Sequence, residues 1–141
     1  MDLGFQSLLV HLFSDYWLQN DWMALNKKKQ WFPAIVHGII YTLPFLLLTK
    51  SWLALFVICS THIIIDHSDI VNKLNQLKNW NFKKYGIGYF KQLNGGILQK
   101  ASITMVDGYD VERPIWLRVW LLIIQDNILH LIINYLSLRY L

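Results

Sequence analysis

Long apolar stretches without a polar stripe constrain this fold more than any other feature of the sequence. Residues 39–48 place apolar side chains on every face of a helix, so no side of that helix is suited to water. Charged residues make up 16% of the chain and concentrate in residues 20–30 and 66–118, whereas soluble domains usually contain about 25%. A soluble helical bundle is therefore disfavoured, and a lipid environment is favoured.

Four segments approach the length that a membrane-spanning helix needs, which is about 17–25 residues. These segments are approximately residues 3–19, 34–48, 51–66 and 115–138. Only Thr49 and Lys50 separate the second from the third, which predicts a tight antiparallel hairpin. We predict an all-α integral membrane protein, with one membrane domain over residues 1–141 and four transmembrane helices.

Basic residues indicate the orientation of these helices, because loops rich in Lys and Arg stay in the cytoplasm. Lys27, Lys28 and Lys29 lie between the first two segments, and residues 67–114 between the last two contain seven further basic residues. Both loops are predicted to be cytoplasmic, with both termini outside. Residues 71–80 predict an amphipathic helix, and this basic segment is a candidate docking site for a membrane or cytoplasmic protein. The lysine run flanks a spanning helix, so we expect no nucleic acid partner.

Histidine, aspartate and amide side chains recur at intervals of four residues inside every predicted span. This spacing places each set on one helix face, and ionisable groups in hydrocarbon cost a few kcal/mol or more unless they find partners. The four faces should therefore meet in a polar His/Asp interior, which four short helices could complete with a second copy of the chain. The sets are His11, Asp15 and Gln19; His37 and Tyr41; His62 and Asp66; and Asp126, His130 and Asn134.

Imidazoles and carboxylates that converge in this way are typical ligands of zinc, and also of manganese or iron. The predicted ligands are His11, Asp15, His62, Asp66, Asp126 and His130, enough for one or two metal centres. Asp15, Asp66 and Asp126 are also candidate catalytic carboxylates, one of which would act as a general base. The residues expected to orient ligands or substrate are His37, Tyr41, Gln19, Lys27 and Asn134.

Two other interpretations of the polar set stay open. Asp–His pairs between helices can form hydrogen bonds that only fix packing, and a polar interior can also conduct protons or ions. The single cysteine, Cys59, excludes an internal disulfide, and no glycine-rich phosphate loop is present.

The sequence resembles a family of small bacterial and phage membrane proteins known as domain of unknown function 3307. The resemblance is carried by His11-Leu-Phe-Ser-Asp15, Leu18 to Ala24, Asn26-Lys27, His37 with Tyr41, His62-Ile-Ile-Ile-Asp66, Arg113-Pro114-Ile-Trp116 and Asp126-Asn127-Ile-Leu-His130. It implies several spans and this His/Asp set, but no settled activity. Together with the orientation that the basic loops indicate, we predict a multi-pass protein of the bacterial inner membrane with both termini periplasmic. A looser similarity to membrane metal-dependent hydrolases, together with the polar set, predicts hydrolysis of a lipid-linked or phosphorylated substrate. A non-enzymatic accessory protein and an ion-conducting bundle are the alternatives.

Overall fold

The computed structural model describes residues 2–79, 90–92, 98–100, 109 and 113–141, and these are mainly helical. Helix α1 continues into a five-residue π-helical segment, and α3 continues into a 3-10 segment. The helices are α1 (Leu3–Leu12, then the π segment Phe13–Trp17), α2 (Asp21–Asn26), α3 (Trp31–Thr42, then the 3-10 segment Leu43–Leu47), α4 (Trp52–His67), α5 (Ile70–Lys78) and α6 (Ile115–Tyr140). Two short strands, β1 (Phe90–Gln92) and β2 (Leu98–Lys100), lie between α5 and α6.

Short polar side chains begin three of these helices, where backbone N–H groups have no partner within the helix. The Asp2 carboxylate accepts from the N–H groups of Gly4 and Phe5 at the start of α1. Asn20 accepts from Met23 at the start of α2, and Ser51 accepts from Ala54 at the start of α4. The Ser51 cap ends the turn that joins the 3-10 segment to α4, so the predicted hairpin has a local structural cause.

The described chain forms two compact units, one of residues 1–69 and 124–141 and the other of residues 70–123. In the second unit β1 and β2 pair antiparallel, with Phe90 opposite Lys100 and Gln92 opposite Leu98. Helix α5 agrees with the amphipathic helix predicted for residues 71–80. The rest of the predicted docking segment falls largely outside the described residues.

The first unit buries a polar cluster beside a small apolar core, and many large apolar side chains lie on its outside. His11, His37, His62 and Asp66 are buried, with at most 3% of their surface exposed. The large apolar side chains that face outwards include Leu9, Phe13, Ile39, Leu43, Leu53, Phe56 and Ile132. This distribution leaves an extensive apolar exterior around a buried polar cluster and a small apolar core.

Gly38 allows α3 and α4 to approach closely at the level of the polar centre. A β-carbon at Gly38 would overlap the Ile63 side chain and would lie 3.5 Å from the backbone oxygen of Cys59. The missing side chain therefore brings the residue before it, His37, close to the neighbouring helix.

Helix α6 alone, within the part of the chain that the structure describes, is both long and apolar enough to cross a bilayer. Helices α4 and α5 meet the same condition only if the interrupted pair is counted as one span. The segment Trp31–Leu47 is apolar but shorter, at about 28 Å against a hydrocarbon core of about 30 Å. Helix α6 thus indicates association with a membrane, while the four-span topology remains a prediction.

Candidate metal centre

Two carboxylates and two imidazoles converge at the centre of the first unit. Asp15 comes from the π segment, His37 from α3, and His62 and Asp66 from α4, and all four are buried. One ligand atom of each residue lies within 4.8 Å of the other three. In α4 the i,i+4 spacing places His62 and Asp66 on the same helix face, one turn apart, with His62 Nε2 3.1 Å from Asp66 Oδ2.

The two Nε2 atoms lie between the two carboxylates. His37 Nε2 is 3.1 Å from Asp15 Oδ1 and 3.2 Å from Asp66 Oδ2. The two imidazoles place their Nε2 atoms 3.0 Å apart, and His62 Nε2 is 3.9 Å from Asp15 Oδ1. Three of the four donor atoms therefore form a triangle with edges close to 3.1 Å.

A cation would satisfy these contacts more completely than hydrogen bonds alone. An Nε2 atom carries at most one hydrogen, whatever the charge of its ring. If both Nε2 atoms are protonated, His37 can donate to Asp15 and His62 to Asp66, each at 3.1 Å, but the two nitrogens that carry hydrogens then lie only 3.0 Å apart. If only one is protonated, the other presents a lone pair to a carboxylate oxygen that also has only lone pairs. A cation at the centre would accept all four lone pairs at once.

The spacing of the donor atoms suits a small divalent cation. In a tetrahedral site with bonds of about 2.0–2.2 Å, neighbouring donor atoms lie about 3.3–3.6 Å apart. Four of the five distances given above are 3.0–3.2 Å, slightly shorter than that range, and the fifth is 3.9 Å, so small shifts of the side chains would bring the donors to these spacings. Two nitrogen and two carboxylate donors are also a chemically suitable set for zinc, manganese or iron. The buried cluster can therefore hold a metal ion.

Lys27 adds a positive charge at the edge of the cluster. Its Nζ donates to Asp66 Oδ2 at 2.9 Å and lies 4.0 Å from Asp15 Oδ1. The loop that carries Lys27 is attached to α4, because His67 Nδ1 donates to the Lys27 carbonyl at 2.8 Å. The His67 ring also packs against Trp31, with ring centroids 3.8 Å apart. His67 thus positions the ammonium group without joining the four ligand atoms.

Asp66, Asp126 and His130 form a second, looser group that shares Asp66 with the first. His130 Nε2 lies 3.7 Å from both Asp66 Oδ1 and Asp126 Oδ2. No hydrogen-bond partner for this buried nitrogen lies among the described residues. The other nitrogen of His130, Nδ1, is 3.2 Å from Nδ1 of His62. The two groups are thus joined through Asp66 and through this pair of histidines.

His11 belongs to a separate hydrogen-bonded network. The amide of Asn134 donates to the Tyr41 hydroxyl at 2.6 Å, and that hydroxyl donates to His11 Nδ1 at 2.7 Å. His11 Nε2 then donates to Asn127 Oδ1 at 2.7 Å, and the Asn127 amide donates to Tyr16. The Tyr41 ring stacks on His62, with centroids 3.6 Å apart and planes 11° apart. This network supports the cluster from one side.

The placement of the predicted residues differs in two respects from the pattern expected from sequence. His37, expected to orient ligands, lies among the four ligand atoms, whereas both nitrogens of His11, expected to be a ligand, have hydrogen-bond partners. Asp15, His62 and Asp66 lie in the first group, and Asp126 and His130 in the second. Gln19 follows the π segment, and its buried Oε1 has no hydrogen-bond partner among the described residues.

Asn127 is the polar residue to which the sequence interpretation assigned no role. A signal was present, because Asn127, His130 and Asn134 follow the i, i+3, i+7 pattern of a single helix face. Nδ1 of His37 is buried and has no hydrogen-bond partner within the described chain. No hydrogen bond at Nδ1 therefore fixes the tautomer of His37.

Comparison with known proteins gives one match. A family model described as Protein of unknown function (DUF3307) matches residues 3–93, which include Asp15, Lys27, His37, His62 and Asp66. No curated protein and no solved structure matches this chain.

Proposed function

Because the chain belongs to the DUF3307 family of proteins of unknown function, we propose its activity from its own site: a membrane-embedded, metal-dependent hydrolase of a phosphorylated, lipid-linked substrate. The observation that carries this proposal is the convergence of Asp15, His37, His62 and Asp66 on one point. Zinc is the ion that best suits two imidazoles and two carboxylates, with manganese and iron as alternatives that metal analysis distinguishes.

A phosphoryl group would find a positively charged partner in Lys27. A divalent ion and Lys27 would carry three positive charges against the three negative charges of Asp15, Asp66 and the adjoining Asp126, so the bound ion would leave the site neutral instead of negative. Lys27 also keeps 16% of its side-chain surface exposed, which allows its ammonium group to reach a phosphoryl oxygen. Charge-assisted hydrogen bonds of this kind are about twice as strong as neutral ones.

Hydrolysis would add water across a phosphoester bond. A divalent ion held by these four residues would polarise the phosphoryl group and would lower the pKa of a nearby water. The water oxygen bonds to phosphorus, the phosphorus–ester oxygen bond breaks, and the ester oxygen leaves as an alcohol after taking up one proton. Asp126 is suited to accept the proton that the water loses, because its carboxylate adjoins the cluster and 32% of its side-chain surface is exposed.

The apolar exterior of the first unit supports a lipid-linked substrate and four membrane spans. Exposed apolar side chains such as Leu43 and Phe56 surround a polar centre, an arrangement that is stable when lipid replaces water outside. The cluster lies near helix ends, since Asp66 is the penultimate residue of α4 and Lys27 follows α2. With the lysine-rich loops in the cytoplasm, the site would face the cytoplasmic headgroups of a bacterial inner membrane.

The experiment combines metal analysis with a phosphatase assay on the full chain, purified in detergent. We expect a stoichiometric divalent metal and release of inorganic phosphate from a polyprenyl phosphate or from phosphatidic acid. Asp66→Asn should abolish both, and Asp69→Asn, three residues further along the chain, should leave both intact. Phosphate release from only one of the two lipids identifies the substrate class.

The opposite result is equally clear. If no zinc, manganese or iron binds stoichiometrically and phosphate release is absent, the hydrolase proposal is wrong. An accessory or ion-conducting function then remains. Liposome flux that persists after chelation and is lost in Asp126→Asn would favour ion conduction.

A further inference from the structure

We propose that His130 fixes the tautomer of His62 and thereby limits the site to one metal ion; this inference rests on the metal centre of the proposed function. The relevant contact joins two like atoms: His62 Nδ1 and His130 Nδ1 lie 3.2 Å apart, and both residues are buried. A hydrogen bond between two imidazole nitrogens requires that one carries a hydrogen and the other a lone pair.

Metal binding decides which nitrogen carries the hydrogen. A His62 whose Nε2 lone pair faces an ion between Asp15, His37 and Asp66 has its hydrogen on Nδ1. That Nδ1–H donates to His130 Nδ1, so neutral His130 has its own hydrogen on Nε2. This N–H faces Asp66 Oδ1 and Asp126 Oδ2, each 3.7 Å away.

The looser group of Asp66, Asp126 and His130 therefore cannot take a second ion while the first is occupied. Its only nitrogen directed at the carboxylates would carry a hydrogen instead of the lone pair that a metal needs. Occupation of the looser group would reverse the hydrogen bond and leave His62 Nε2 protonated. The tighter group offers four buried ligands, and the looser group offers three, of which Asp126 is partly exposed. The single ion thus belongs to the tighter group.

His130 acts here as a positioning residue. Tyr41 stacks against the face of the His62 ring, and the bond to His130 fixes its rotation within the ring plane. Residues that orient a metal-binding histidine in this way typically change metal affinity by about 10–100-fold.

Zinc binding to the full chain, purified in detergent, tests this inference through two variants of similar size. In His130→Asn the side-chain oxygen can still accept from His62 Nδ1, whereas in His130→Leu the volume is kept and the acceptor is lost. We expect one zinc per wild-type chain, an affinity within a few-fold of wild type for His130→Asn, and an affinity about 10–100-fold weaker for His130→Leu. Asp126→Asn should keep one equivalent of zinc.

The tautomer is measured directly in the wild-type protein, so the test does not depend on a variant that folds. Nitrogen NMR of histidine-labelled, zinc-loaded protein should show His62 protonated at Nδ1 and His130 protonated at Nε2. Two zinc ions per chain, with one lost in Asp126→Asn, would overturn the inference and leave the hydrolase proposal standing. Equal affinities for His130→Asn and His130→Leu would also overturn it. Absence of bound metal in the wild-type chain would overturn both.

Discussion

His37 and His62, 25 residues apart in the sequence, hold their Nε2 atoms 3.0 Å apart on neighbouring helices. This distance is the shortest of the five between the donor atoms of the cluster, and only one of the two Nε2 atoms can donate to the other across it. The relationship makes His37, more than His11, the expected metal ligand of the α1–α3 region.

Substituting His37 and His11 one at a time tests which of the two histidines is a metal ligand. We expect His37→Ala to lose stoichiometric metal, since a ligand contributes more than the about 10–100-fold of a supporting residue. His11→Ala should keep one equivalent, because both nitrogens of His11 already bind Tyr41 and Asn127. The measurement is metal content after gel filtration in detergent. Loss of metal in His11→Ala with retention in His37→Ala would contradict this assignment.

We expect Lys27 to contribute to substrate binding and catalysis but not to metal content. Lys27→Met removes a charge-assisted hydrogen bond, which is worth about 1.5–3 kcal/mol, so kcat/KM for a phosphorylated lipid should fall about 10- to 150-fold. The matched control is Lys28→Met, since Lys28 is exposed and lies 4.0 Å from the exposed Asp69. Steady-state kinetics with metal content measured in parallel give the answer. An equal effect of the two substitutions would show that only general positive charge is involved.

The positions of the helices could be predicted from hydropathy because spans and turns have clear sequence signals. The predicted segments 34–48 and 51–66 correspond to Trp31–Leu47 and Trp52–His67. The spacing of His62 and Asp66 also predicted their contact correctly, because α4 is uninterrupted between them.

The same spacing placed both His11 and Asp15 inside the first unit, but only Asp15 belongs to the group of four ligand atoms, and the reason is local. His11 and Asp15 would share one face of a regular α-helix, but Phe13–Trp17 is π-helical. The wider turn of a π-helix changes the angle between residues four apart, so Asp15 enters the cluster while His11 contacts Tyr41. No sequence pattern specifies such a segment. The rotation of α3 that brings His37 inwards depends likewise on its contact with Ile63 at Gly38.

Gly38 should therefore control both stability and metal affinity. Alanine is favoured over glycine in a helix by about 1 kcal/mol, but an overpacked core typically costs about 1–3 kcal/mol. We expect Gly38→Ala to destabilise the protein by up to about 2 kcal/mol and to weaken zinc binding, because α3 and α4 must separate. Thermal unfolding in detergent and zinc titration measure the two effects.

Gly4→Ala provides the control for this substitution. A β-carbon at Gly4 would meet the exposed Asp2 carboxylate at 3.0 Å and the Tyr135 ring only at 4.0 Å. The flexible Asp2 side chain can move aside, so zinc affinity should be unchanged. If Gly38→Ala also left zinc affinity unchanged, the close approach of α3 and α4 would have no role in shaping the centre.

Tyr41 stacks its ring on His62 and uses its hydroxyl group to bind His11 and Asn134, and two substitutions distinguish these contributions. Tyr41→Phe keeps the ring on His62 but leaves His11 Nδ1 and the Asn134 amide without their partner. Buried polar groups without a partner cost about 1–3 kcal/mol each, so the protein should be less stable while zinc affinity changes little. Tyr41→Leu removes the stacking as well and should weaken zinc binding. A large loss of zinc affinity in Tyr41→Phe would mean that the hydroxyl itself supports the ion.

Ile39 tests whether lipid surrounds the first unit. It lies near the middle of the Trp31–Leu47 segment and is 51% exposed. If water contacts this side chain, Ile39→Arg should change stability by no more than about 0.5 kcal/mol. If lipid contacts it, arginine near the middle of a span costs about 2.5–3.5 kcal/mol, and the yield of protein in the membrane fraction should fall sharply.

Leu25→Arg is the control for Ile39→Arg, because Leu25 is 70% exposed but lies in α2, beside the lysine-rich loop. Equal membrane yields for the two variants would contradict the four-span topology, since the apolar exterior of α3 would then not contact hydrocarbon.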